Sequence, residues 1–92
     1  MLNIINLIPY GKENAISRTS LCYITGLSDR AVRDCIAEAR NDWVILSVKD
    51  GKGYFRPTEE EKNDVEVWIK IESARASSIN KSLYTAKKMI GR

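Results

Sequence analysis

The stretch from residue 17 to 36, SRTSLCYITGLSDRAVRDCI, constrains the fold most, because it predicts two short amphipathic helices joined by a tight turn. Ser17 and Ser28 each stand where a hydroxyl can accept a hydrogen bond from an unpaired backbone N–H at a helix start. Gly26 lies between the two helices, where the end of the first needs a positive φ that residues with a Cβ resist. The pattern is typical of a helix-turn-helix, a unit that proteins use to hold one helix against DNA.

Apolar residues give each of these helices an inner face. The residue before each serine and the fourth residue of each helix have the spacing of a hydrophobic staple, which sets the angle at which the chain enters the helix. These pairs are Ile16 with Leu21, and Leu27 with Val32. We expect further inward-facing side chains at Ile24 in the first helix and at Cys35, Ile36 and Ala39 in the second.

The residues after the helix pair predict a β-hairpin. Residues 43–48, WVILSV, are rich in β-branched and aromatic side chains, residues 50–53, DGKG, form a turn cluster, and an extended pattern resumes before Pro57. We expect the hairpin to pack one face on the helices, with Trp43, Tyr54 and Phe55 in the core. Residues 2–8, LNIINLI, predict an additional first helix, which Pro9 and Gly11 end.

The predicted fold is therefore mainly α with a small β-hairpin, in two parts. Residues 1–57 follow the order of a winged helix-turn-helix domain, and residues 58–92 predict one long helix. Thr58 and Glu61 form a capping box at its start, and no proline or glycine follows until Gly91. Small side chains over residues 73–78 leave open a break or bend in this helix.

The long helix carries apolar residues that repeat by sevens, which predicts a coiled-coil seam and a homodimer. Glu72 interrupts one row, and Trp68 and Ile71 lie outside both rows, where we expect them to pack on the first domain. The expected dimerisation residues are Ile69, Ala76, Leu83 and Ile90 in one row, and Val65, Ile79 and Ala86 in the other.

Charge and composition exclude several classes of function. The net charge is +3 from 15 basic and 12 acidic residues, so an affinity for nucleic acid must come from the distribution of charge rather than its total. Histidine is absent, which removes the usual general base and the usual transition-metal ligand. The sequence also contains no nucleophile beside a base and no glycine-rich phosphate loop. We therefore expect a protein that is not an enzyme and has no cofactor and no metal.

The expected location is the cytoplasm, without a membrane partner. No apolar run approaches the length of a membrane helix, and the start MLNIINLIPYG lacks the features of a signal peptide. A disulfide between Cys22 and Cys35 is sterically conceivable, but a reducing compartment favours two buried free thiols.

In a winged helix-turn-helix fold, three groups of surface residues would lie on one face. They are the expected contacts to double-stranded DNA. Arginine near the start of a recognition helix can donate a bidentate pair to guanine, helix-start hydroxyls suit phosphate oxygens, and lysines of the hairpin add salt-dependent affinity. The groups are Arg18 and Thr19, then Ser28, Arg30 and Arg33, and then Lys49 and Lys52. The alternative is that Arg30 and Arg33 form only a solvated helix face, with Arg33 paired to Asp29 or Asp34.

The segment from Leu7 to Pro57 resembles a known family. With LIPYGKENAIS leading in, LSDRAVRDCI as recognition helix and DGKGYFRP as wing, it is similar to the small winged helix-turn-helix proteins encoded in phage and prophage early regions of Gram-positive bacteria. The resemblance implies that Ser28, Arg30 and Arg33 lie on a DNA-facing surface. It also implies a transcriptional regulator or replication accessory factor. Winged helices of this kind serve as protein-binding modules too, so a phage protein that binds a host or phage replication or defence protein is the alternative.

Overall fold

A computed structural model describes residues 3–48 and 52–91. The chain is mainly helical, with one small antiparallel sheet and a long C-terminal helix. Its regular elements are α1 (Arg18–Thr25), α2 (Asp29–Ala39), β1 (Leu46–Val48), β2 (Gly53–Phe55) and α3 (Lys62–Met89). Short 3-10 helices cover Ile4–Leu7, Lys12–Asn14 and Glu59–Glu61.

Both central helices begin, and the first of them ends, as their sequence predicts. Ser17 Oγ accepts a hydrogen bond from the N–H of Ser20 at 3.0 Å, and Ser28 Oγ accepts one from the N–H of Ala31 at 3.1 Å. Gly26 has a φ of 73° at the end of α1, and its N–H donates to the carbonyl of Cys22 at 2.8 Å. Both N-caps and the left-handed glycine are confirmed.

Gly26→Val is expected to lower the free energy of unfolding by about 1–3 kcal/mol, since a β-branched residue resists positive φ. No heavy atom outside the local chain lies within 4 Å of a Cβ built at Gly26, so the cost comes from backbone strain alone. Chemical denaturation measures it. Ala37→Val, on the exposed side of α2, is the control and should cost only a few tenths of a kcal/mol. Equal losses in the two variants would show that the turn does not depend on the glycine.

The core lies between the helix pair, the sheet and the N-terminal segment. Its fully or nearly fully buried side chains are Ile4, Ile5, Ile8, Leu21, Val32, Ile36, Ile45, Leu46, Tyr54 and Phe55. The inner face expected for α2 is therefore confirmed, as is the burial of Tyr54 and Phe55. Cys22 and Cys35 are free thiols, half-buried against this core.

The expectation for Ile24 was wrong, since 55% of its surface is exposed. At about 100° per residue, Ile24 points roughly 200° away from Cys22, which packs against the core. Thr25 is half-buried instead of Ile24, and its hydroxyl donates to the carbonyl of Leu21 at 2.7 Å. The inner face of α1 thus runs along Leu21, Cys22 and Thr25.

Trp43 also departs from expectation, being 47% exposed rather than in the core. The chain continues in turns after α2, with the N–H of Trp43 donating to the carbonyl of Ala39 at 2.9 Å. The first strand therefore begins only at Leu46, three residues later than predicted. In the hairpin that follows, Leu46 pairs with Phe55 and Val48 with Gly53.

The N-terminal segment forms a single 3-10 helix at Ile4–Leu7 instead of the helix predicted over residues 2–8, whose first residue lies outside the described range. Asn3 Oδ1 accepts from the N–H of Ile5 at 3.3 Å, and Pro9 follows too closely for a longer helix. The chain then runs along the sheet, where Ile16 and Tyr54 exchange antiparallel hydrogen bonds of 2.9 and 2.7 Å.

The C-terminal helix α3 is continuous from Lys62 to Met89, so the break left open at residues 73–78 is absent. Trp68 is half-buried, with the Arg40 guanidinium 5.7 Å from its ring centre. Ile71 lies with Trp68 beside Phe55 in a shallow crevice. Trp68 therefore packs on the domain as expected, whereas Ile71 remains 48% exposed.

The start of this last helix is tied to the N-terminal segment by one carboxylate. Glu61 Oε1 accepts from the N–H of Thr58 and Oε2 from the N–H of Lys12, both at 2.9 Å. The predicted capping box is present. The N–H groups of Thr58 and Lys12 together lower the pKa of Glu61 below its ordinary value of 4.5.

Glu61→Gln is expected to lower the melting temperature at neutral pH, because an amide offers one acceptor oxygen in place of two. A lowered folded-state pKa means that this stabilisation is present above the unfolded pKa and is lost as pH falls through the folded value. The difference between wild type and variant should therefore shrink in acid. Thermal melts across this pH range test it, with the exposed neighbour Glu60→Gln as control. A difference in melting temperature between wild type and Glu61→Gln that does not change with pH would contradict this role of the Glu61 carboxylate.

Candidate nucleic-acid interface

The exposed side of α2 lies opposite the buried Val32 and Ile36. At about 100° per residue, Arg30, Asp34 and Ala37 lie opposite that buried side, while Arg33 lies nearer α1, and all four are exposed. Asp34 and Glu38 lie toward the flank farther from α1, where they line a crevice with Asp42 and the exposed Trp43. The exposed side of α2 therefore has a basic strip bordered by an acidic one.

One side-chain network joins the starts of both helices to the second strand. Arg18 Nε donates to Asp29 Oδ1 at 2.6 Å, and Arg18 Nη1 donates to the hydroxyl of Tyr54 at 3.3 Å. The other carboxylate oxygen of Asp29 lies 3.2 Å from Arg33 Nε. β2, α1 and α2 therefore meet at a chain of contacts running from Tyr54 through Arg18 and Asp29 to Arg33.

The network determines which donors remain available. Its bonds occupy two of the three guanidinium nitrogens of Arg18, and the bonds to Tyr54 and Asp29 raise the pKa of Arg18 above its ordinary value. For Arg33 the ion pair is made through Nε, and the side chain as a whole remains 57% exposed. The pairing of Arg33 with Asp29, given above as the alternative, is thus present. It fixes the position of Arg33 Nε and does not involve the two terminal nitrogens.

Arg30 differs from its neighbour. Within residues 3–48 and 52–91, no carboxylate forms an ion pair with it. Arg30 and Arg33 are three residues apart on one helix, so their side chains are neighbours on its surface. The pair presents two guanidinium groups on one exposed face.

The remaining expected contacts vary in their placement. Thr19 is exposed in the first turn of α1, and Ser28 is exposed while its Oγ caps α2. Lys52 is exposed at the hairpin turn, where its N–H donates to the carbonyl of Val48 at 3.0 Å. Lys49 lies outside the described residues.

The expected dimerisation residues all lie on α3 or immediately after it. Val65 is half-buried next to the domain, and the other members of the two rows are exposed. The exposed members are Ile69, Ala76, Ile79, Leu83, Ala86 and Ile90.

Sequence reasoning missed the two contacts of Arg18, to Asp29 and to Tyr54. It predicts Asp29 only as a possible partner of Arg33, and Tyr54 only as a core side chain. A signal was available, because Arg18 and Asp29 each follow the N-cap serine of their helix and carry opposite charges. Opposite charges at equivalent positions of two packed helices predict an ion pair between the helix starts. Nothing comparable marks Tyr54, whose partner depends on how the strand packs.

Comparison of the chain with protein-family models, with curated proteins and with solved structures found no match. Among the described residues, no helix combines the length and the apolar character needed to cross a bilayer.

Proposed function

We propose that the protein is a cytoplasmic winged helix-turn-helix protein that binds double-stranded DNA in a sequence-specific way. The order of elements supports this, with a helix pair followed by a hairpin whose second strand also pairs with Ile16. In this proposal α2 is the recognition helix, which enters the major groove, and the hairpin is the wing. The biological role would be that of a phage transcriptional regulator or replication accessory factor.

The observation that carries the proposal is the network from Tyr54 to Arg33. DNA recognition requires the recognition helix to be held at a set angle to the elements that touch the backbone. Asp29 couples the start of α2 to α1, and Tyr54 couples α1 to the hairpin, so one network links the three elements. The basic strip of α2 lies beside this junction.

Each residue has a distinct role in the proposal. Arg30 and the terminal nitrogens of Arg33 donate to base edges, with guanine as the preferred acceptor. Thr19, Ser28 and the third guanidinium nitrogen of Arg18 bind phosphate oxygens and set the register. Lys49 and Lys52 contribute affinity without sequence preference.

A second candidate function is suggested by the acidic flank of α2. Asp34, Glu38 and Asp42 surround a crevice that also contains the half-exposed Trp43 and the backbone near Ile4. Carboxylates around an exposed aromatic ring suit a basic protein segment rather than DNA. A protein-interaction module that modulates a host or phage replication or defence protein would use this surface.

Fluorescence anisotropy with labelled duplexes tiled across the neighbouring genome tests the first proposal. We expect one fragment to bind more tightly than the rest, with an affinity that falls linearly with salt on logarithmic axes. Uniform affinity for all fragments would contradict sequence-specific binding. Absence of binding at low salt would exclude DNA as the ligand and favour the second candidate.

Lys49→Ala combined with Lys52→Ala is expected to weaken all duplexes alike and to flatten the salt dependence by about one unit of slope for each lysine lost. The reason is that phosphate contacts release counterions without reading bases. The same anisotropy titrations over a salt series measure both quantities. A change in sequence preference at constant slope would mean that the hairpin reads bases.

A further inference from the structure

The second half of α3 is a helix without tertiary support. Every residue from 73 to 91 is exposed, including Ile79 at 59%, Leu83 at 51% and Ile90 at 71%. These three lie on one side of the helix with Ala76 and Ala86. Isolated helices of this length are marginal in water, and most helical stability in proteins comes from burying an apolar face. The apolar side of this segment is therefore left without a cover by residues 3–48 and 52–91.

In the first half of the helix, the domain partly covers the row that begins with Val65 and leaves the row that begins with Ile69 exposed. The half-buried residues near the start of α3 are Glu61, Asp64, Val65, Trp68 and Glu72, which define the side that faces the domain. Ile69 points away from the middle of that side and is exposed. Ile69 continues the row of Leu83 into the first half of the helix, and Val65 continues the row of Ile79.

Charge along this helix is strongly polarised. Residues 58–72 carry six acidic residues and two lysines, a net charge of −4, whereas residues 73–92 carry five basic residues and no acidic one, a net charge of +5. A second copy aligned in parallel would place like charges side by side along the whole length. Pairing only the two free ends would bring two basic segments together. An antiparallel copy along the full helix places each basic half against an acidic half.

We propose that α3 pairs with α3 of a second copy in antiparallel orientation, with the two helices crossing near Ala76. Ile69 and Leu83 lie seven residues to either side of Ala76, so Ile69 of one copy is level with Leu83 of the other. Glu66 comes level with the turn that carries Lys87. Small side chains at the crossing, including Ser73 and Ala76, allow the backbones to approach closely. The partner is therefore a second copy of this chain, and the pairing does not depend on the proposed DNA binding.

Distances between spin labels distinguish the orientations. One label is attached per variant, either at Ser77 near the crossing or at Met89 near the helix end. Both variants carry Cys22→Ala and Cys35→Ala, and circular dichroism checks that their helicity is unchanged. Antiparallel pairing predicts an inter-label distance below about 25 Å at Ser77, given helix axes about 10 Å apart. It predicts about 40 Å at Met89, from a rise of about 1.5 Å per residue over both copies. Short distances at both positions would overturn the orientation, and no coupling at either would overturn the pairing.

A charge exchange tests the same proposal with both native cysteines present. Glu66→Lys alone and Lys87→Glu alone are each expected to raise the dimer dissociation constant roughly tenfold, since each creates two like-charge contacts by symmetry. The combined variant restores opposite charges and should return to within about twofold of wild type, a prediction that parallel pairing does not make. Sedimentation equilibrium measures these constants. Additive losses in the combined variant, or a wild-type protein that remains monomeric, would refute the proposal.

Discussion

Replacing both Arg30 and Arg33 by alanine is expected to weaken binding to the preferred duplex by about 2–6 kcal/mol, since each bidentate arginine–guanine pair is worth about 1–3 kcal/mol. Both guanidinium groups lie on the exposed side of α2, and Arg33 is oriented by its 3.2 Å contact with Asp29. The loss should be accompanied by relaxed preference at one or two base pairs. Anisotropy titrations against the preferred fragment and its single-base variants measure both effects.

Lys62→Ala combined with Lys70→Ala is the matched control, because it removes the same two positive charges from exposed positions on α3. This control should shift affinity far less and leave base preference unchanged. Equal affinity of the wild type and the arginine variant for the preferred duplex would exclude α2 as the recognition helix. Equal losses in both double variants would mean that total charge alone drives binding.

Ile79→Asp combined with Leu83→Asp is expected to yield a monomer that still folds through residue 57, because these side chains contact nothing in the domain core. The affinity for a duplex with two half-sites should then fall by about 10² to 10⁴-fold, because two separate monomers bind the half-sites independently, whereas a dimer binds both at once. Binding to a single half-site should change little. Light scattering measures the oligomeric state, and anisotropy measures the affinity for each duplex.

Ser77→Asp combined with Thr85→Asp supplies the control for this variant. It adds the same two carboxylates to the same segment, on the side of α3 away from the apolar row, and should leave the dimer intact. A wild-type protein that is monomeric at tens of micromolar would contradict the dimer. It would favour the protein-interaction function, with the long helix as the docking surface.

The features that were predictable from the sequence are local ones. Ser17, Ser28, Gly26 and the Thr58–Glu61 capping box each act within a few residues of chain, so their hydrogen bonds follow from spacing alone. The hairpin turn between two apolar runs was predictable for the same reason. Only its first boundary was misplaced, because Trp43 has strand propensity but lies in a turn that continues from α2.

The candidate site was predictable in part. Periodicity identified the exposed side of α2, and with it Arg30 and Arg33, because Val32 and Ile36 had to be buried. The link from Arg33 through Asp29 and Arg18 to Tyr54 joins residues up to 36 positions apart. Such a link depends on how helices and strand dock, so spacing along the chain carries little information about it.

The sequence by itself determined where helices α1 and α2 begin, where α1 ends, where the hairpin turns and which residues lie inside α2. Caps, turns and amphipathic periods involve neighbours in the chain, whose geometry is the same in any fold. Only the tertiary structure decided that Ile24 and Trp43 are exposed, that the N-terminal segment is a single 3-10 turn, and that Arg18 connects α1 to both α2 and β2. Those outcomes depend on the rotation of one packed element against another, which is set by the shape of the shared core.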